Sequence, residues 1–89
     1  MKKLSEIELR QTCGACPEQY DAFIDNKQVG YLRLRHGFFS VDCPDAGGVE
    51  VFATNDVSGD GMFTDEERPI MLQSAKEAIL HWVGQHEEA

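Results

Sequence analysis

The chain has 89 residues, 42% hydrophobic and 27% charged, with a formal net charge of −8; that is enough for one modest core and too little for a two-domain enzyme with a buried cleft. The charge is lopsided, because residues 1–44 hold six acids and six bases while residues 45–89 hold ten acids against Arg68 and Lys76. Such a surface repels phosphate backbones and anionic membranes, so nucleic-acid binding is disfavoured, and no apolar run approaches the ~20 residues that span a bilayer.

The first ten residues carry two lysines but no apolar signal core, and the three cysteines are an odd number; both point to a cytoplasmic chain with reduced thiols rather than a disulfide framework. Residues 4–12 have two readings. Ile7 and Leu9 alternate as in a strand, whereas Ser5 and Glu8 have the spacing of a cap for a short helix. We treat 1–15 as an N-terminal extension and 16–86 as a single domain.

Strand patterns follow at 20–24 and, after an expected turn at 25–28, at 29–35 with strict alternation. His36-Gly37 then reverses the chain into a strand at 38–43. A two-residue hairpin there pairs Arg35 with Phe38, Leu34 with Phe39, Arg33 with Ser40, Leu32 with Val41 and Tyr31 with Asp42. One face then carries Leu32, Leu34, Phe39 and Val41, and the other Tyr31, Arg33, Arg35, Phe38, Ser40 and Asp42. The loop length around Asn26 decides whether Phe23 or Ile24 joins the core.

A loop at 44–48 leads to a strand pattern at 49–54. Beyond it Met71, Leu72, Ala75, Ala78, Ile79, Trp82 and Val83 recur at helical spacing, so residues 65 to about 84 predict an amphipathic helix lying on the Leu/Phe/Val face. The expected fold is α+β: an antiparallel β-meander of three or four strands with one C-terminal amphipathic helix packed on one face.

The segments Cys16-Pro17-Glu18-Gln19-Tyr20-Asp21, Gly30-Tyr31-Leu32-Arg33-Leu34-Arg35-His36-Gly37, and Gly59-Asp60-Gly61-Met62-Phe63 with Glu66-Glu67-Arg68 resemble a group of small bacterial and phage proteins. The similarity covers about residues 16–80, and the group carries no assigned activity. The resemblance implies that the stretch before Cys13 is an addition. It also gives no support to a metal loop, since members are similar around Gly59-Asp60-Gly61 and differ at Asp56 and Ser58.

The stretch 56–67 nevertheless aligns with a twelve-residue calcium loop. Asp56, Ser58 and Asp60 would supply side-chain oxygens to Ca2+, Met62 its carbonyl, Thr64 a contact through water and Glu67 a bidentate carboxylate. With three carboxylates and no second copy, the affinity expected is weak, a Kd on the order of 10⁻⁴ to 10⁻³ M. A plainer reading ranks first: Asp60-Gly61 is a turn dipeptide, and Thr64 and Glu67 form a capping box that starts the helix. Residues 49–54 also read as a strand where an EF-hand has its entering helix.

Cys13 and Cys16 have the spacing of a zinc knuckle. His36 would be the third ligand, because Cys43 falls at the far end of its strand, about 20 Å away at ~3.3 Å per residue. The fourth would come from His81, His86 or a carboxylate, and unligated thiols in a turn are the simpler account. No nucleophile, base and orienting group assemble into a catalytic set, so the chain reads as a non-enzyme. Tyr31, Arg33, Arg35 and Phe38 fall together on the face opposite the helix, and they predict a contact surface for another protein with an acidic surface. A protein-interaction module is thus the first expectation, a calcium-binding protein the second and a zinc-knuckle protein the third.

Overall fold

A computed structural model describes residues 3–13 and 17–86. After a 3-10 turn at Leu4–Glu6 come five strands, β1 (Glu8–Cys13), β2 (Glu18–Ile24), β3 (Lys27–Arg35), β4 (Phe38–Cys43) and β5 (Val49–Thr54), and then helix α1 (Arg68–His86). The strands lie side by side in chain order and every neighbouring pair is antiparallel, which makes one five-stranded meander. The fold is α+β, with five strands where three or four were expected.

The extra strand is β1, an edge strand that pairs Glu8 with Phe23, Leu9 with Ala22 and Arg10 with Asp21. The strand reading of residues 4–12 holds from Glu8 on, whereas the expected Ser5–Glu8 cap is not formed: Ser5 lies inside a 3-10 turn whose cap is Lys3, and the Glu8 carboxylate accepts from Arg10. The turn occupies Leu4–Glu6, Ile7 is 4% exposed in the core, and extended chain begins at Glu8. An edge strand backed on one side needs few apolar residues, so β1 itself offers only Leu9 as a packed apolar signal, with Ile7 just before it.

The β3–β4 hairpin has the register that its two-residue turn dictates, with all five expected pairs from Arg35–Phe38 to Tyr31–Asp42. His36 and Gly37 have φ of 55° and 73°, the two positive values that a tight hairpin twisted like its strands requires. The β2–β3 turn is of the same kind. Asp25 and Asn26 take φ of 52° and 66°, so two residues rather than the expected four make the turn, and Lys27 and Gln28 belong to β3. That length places Ile24 in the core, 5% exposed, and Phe23 on the other face.

Strict alternation fails at Val29. Phe23 pairs with Gln28 and Ala22 with Gly30, so Val29 is the extra residue of a β-bulge and is 7% exposed in the core instead of sharing a face with Tyr31. Gly30, next in line, also faces the helix. A Cβ there would stand 2.7 Å from Ile79 Cδ1, so the absent side chain is what lets α1 approach the sheet.

The core lies between the helix and the inner sheet face. Leu32, Leu34, Phe39 and Val41 are fully buried, and α1 covers them with Ala75, Ile79 and Val83, each one turn after the last. Met71, Leu72 and Trp82 pack at the margin as the helical spacing predicts; Leu80 packs there too, although the predicted stripe left it out. Burial of each large aliphatic or aromatic side chain contributes about 1.5–3 kcal/mol, so this layer is what fixes the helix on one face, and no helix among the described residues covers the other.

Candidate functional site

The long connection from β5 to α1 is tied to the end of the sheet where β2 begins and β3 turns into β4. The Glu18 N–H donates to the Gly61 carbonyl at 2.8 Å and the Gly37 N–H to the Asp60 carbonyl at 2.7 Å. Beneath these bonds sits a buried acid. Glu18 is 1% exposed, and its carboxylate accepts from the Tyr20 hydroxyl, from the Phe63 N–H at 2.9 Å, and from Arg68 Nε and Nη2 at 2.9 and 3.3 Å. Burial pushes the Glu18 carboxyl up, but the hydrogen bonds from Arg68, Tyr20 and Phe63 outweigh it and hold the group below the usual carboxylate range. Tyr20 moves the other way, pushed up to about 12 by burial first and by Glu18 second.

Sequence reasoning assigned Glu18 and Arg68 no role, and a signal for them existed. Glu18 shares the inward parity of Tyr20, Ala22 and Ile24, and an acid at a core-facing position demands a cation. Arg68 and Lys76 are the two bases of residues 45–89.

Within the same connection Glu67 serves the backbone. Its carboxylate accepts from the N–H groups of Ser58 and Gly59 at 2.8 Å each and of Thr64 at 3.0 Å, while the Glu67 N–H donates to Thr64 Oγ1 at 3.2 Å. These donors, Ser58 and Thr64 foremost, hold the Glu67 carboxyl below its usual range. Thr64 and Glu67 are thus a reciprocal cap, and the Arg68 N–H donating to the Thr64 carbonyl at 3.0 Å closes the first helical bond. Regular helix begins at Arg68, three residues past the expected start, because 65–67 form the capped lead-in turn.

Of the other residues aligned with a calcium loop, Asp56, Ser58, Asp60 and Met62 are exposed, and the Met62 carbonyl is folded back against Gly59, where any Cβ would overlap it. Of the zinc-knuckle residues, Cys16 lies outside the described residues. Cys13 ends β1 opposite Gln19, two strands and so about 10 Å across the sheet from β3, the strand that His36 follows. His86 lies with Ile24 and Lys27 at the opposite end of the sheet from His36. Among the described residues no group of three or more His, Cys, Asp or Glu side chains is placed to hold a metal ion. Cys43 is fully buried at the end of β4, and burial, helped by the Asp42 charge, pushes its thiol up to about 11.

The four residues expected to share the uncovered face do share it. Across the strands Arg33 stands between Gln19 and Ser40, Tyr31 between Asp21 and Asp42, and Arg35 opposite Phe38, which is 45% exposed. The patch has two ends of different character. Tyr31 is flanked by acids and its hydroxyl accepts from Gln19 Nε2 at 2.9 Å, whereas the side chains of Arg33 and Arg35 make no hydrogen bond or ion pair with any described residue. A cation–π contact is made nearby by Arg10, whose guanidinium carbon lies 4.1 Å from the Phe23 ring centre. No helix among the described residues is long and apolar enough to cross a membrane. Comparison with protein-family models, with curated proteins and with solved structures finds no match to the chain.

Proposed function

We propose that this chain is a small, acidic, non-catalytic interaction module of the cytoplasm that docks another protein, one with an acidic surface, on the sheet face opposite α1. One observation carries the reading: the face opposite α1 presents two guanidiniums, Arg33 and Arg35, that have no side-chain partner among the described residues, beside the exposed ring of Phe38. Arg10 and Arg68, by contrast, each hold an acid of their own chain. Arginine and aromatic side chains combine broad contact area with directional donors, and for that reason they dominate interface energetics. The acids flanking Tyr31 confine the attraction to one end of the face, which sets the orientation of a partner as well as its charge.

The test is affinity capture from the source cells with the wild-type chain and with Arg33→Ala/Arg35→Ala in parallel, alongside thermal melting of both. The expected result is a protein retained by the wild type and lost by the variant, with melting temperatures that agree within about 2 °C because neither arginine supports the fold. A variant that captures the same proteins at wild-type strength removes this face from consideration.

A further inference from the structure

Arg33 and Arg35 also line a groove of about 450 Å³, together with Gln19, His36, Asp60 and Gly61. That is roughly fifteen times the ~30 Å³ share of one liquid water, room enough for a side chain and its solvent. The far wall of the groove is held in place. Asp60 and Gly61 are fixed through their carbonyls to Gly37 and Glu18, and Phe63, two residues on, is fixed to the buried Glu18 carboxylate. The arginines are two residues apart on β3, so both side chains leave the same sheet face. Two adjacent guanidiniums that form no ion pair with an acid among the described residues, Asp60 on the far wall included, make a preformed site for an anion.

Resting on the reading of this face as a partner surface, we propose that the groove is a carboxylate subsite. It takes one aspartate or glutamate side chain of the docked protein, held by the donor forks of Arg33 and Arg35. A planar carboxylate fits a guanidinium in two parallel hydrogen bonds, which a lysine cannot reproduce. Asp60 on the opposite wall and the net charge of −8 set the selectivity. A phosphate group, with about −1.5 to −2 charge at neutral pH, meets more repulsion there than a monoanionic carboxylate.

The test is a titration at constant ionic strength, followed by nitrogen–proton correlation spectra that include the arginine Nε–H signals. The probes are a blocked tripeptide with central glutamate, the same peptide with glutamine, and inorganic phosphate. The glutamate peptide is expected to move the Nε–H signals of Arg33 and Arg35 and the amides of His36 and Gly61 saturably, with Kd on the order of 1–10 mM for so small a probe. The glutamine peptide should leave them in place, and phosphate should bind more weakly than the glutamate peptide. Arg33→Ala or Arg35→Ala should weaken the response by about ten- to a hundredfold, and Arg35→Lys by less.

Equal shifts with the glutamine peptide, tighter binding of phosphate, or no saturable movement up to about 50 mM peptide overturn the proposal. The two levels separate cleanly. Partner capture lost in the double variant without any glutamate response keeps the interface and rejects the carboxylate subsite. A saturable glutamate response with partner capture unchanged keeps the subsite and rejects the interface.

Discussion

At the Glu18 carboxylate four hydrogen bonds converge, from Tyr20, Phe63 and Arg68, and they join the first residue of β2 to the chain leading into α1. Removing one member of such a cluster strands the rest. Arg68→Met leaves a carboxylate that is 1% exposed without its cation, and we expect a loss of about 3 kcal/mol, the low end for a broken buried pair because Arg68 is 29% exposed. Urea denaturation at neutral pH measures it. The loss should shrink near pH 4, where Glu18 protonates more readily once Arg68 is gone; a loss that is equal at both pH values would mean that Arg68 acts through packing alone. This pair was hidden in the sequence for a simple reason. The apolar strand pattern starts at Tyr20, and an acid counts as inward-facing only once the strand is known to begin two residues earlier.

The elements differ in how plainly the sequence announces them. The β3–β4 hairpin was fully legible because His36-Gly37 fixes loop length, and loop length fixes register. Strand β5 and the helix were likewise visible as uninterrupted patterns. The bulge at Val29 was not, since no turn residue marks it, and its neighbour Gly30 meets Ile79, a contact between segments about 50 residues apart. The same contact predicts a coupling. Gly30→Ala should destabilise by about 1–3 kcal/mol through crowding of Ile79, and Ile79→Val, which deletes the Cδ1 methyl, should recover part of it in the double variant. Strict additivity in that cycle would show that the helix and bulge do not meet as described. Of the candidate site, the membership of the uncovered face followed from parity, whereas its division into an acidic and a basic end depends on neighbours in β2 and β4.

For the whole molecule the shifted groups define a stability window in pH. Glu18 and Glu67 are held low by their donors, so their contribution is complete above the unfolded value of ~4.3 and is lost as pH falls through the folded values. Cys43 and Tyr20 are raised, to about 11 and about 12. Their contribution is complete below the unfolded values of ~8.5 and ~10 and disappears as pH rises through the folded ones. The urea midpoint should therefore be flat between about pH 5 and 8.5 and fall on both sides. In Glu67→Gln the acid limb should become shallower while the alkaline limb stays in place; an unchanged acid limb would mean that the three backbone donors do not favour its charge.

Cys43 is shielded twice, by the burial of its sulfur under α1 and by the scarcity of its thiolate. This makes the residue a chemical clock. With Cys13→Ser and Cys16→Ser in place, alkylation of Cys43 by iodoacetamide has to wait until the helix lifts from β4. The labelling rate should be slower than that of a free thiol by a factor on the order of 10³ or more, and that factor is the opening equilibrium itself. A single sulfur thus reports, without denaturant or spectroscopic label, how often the two layers of the molecule part.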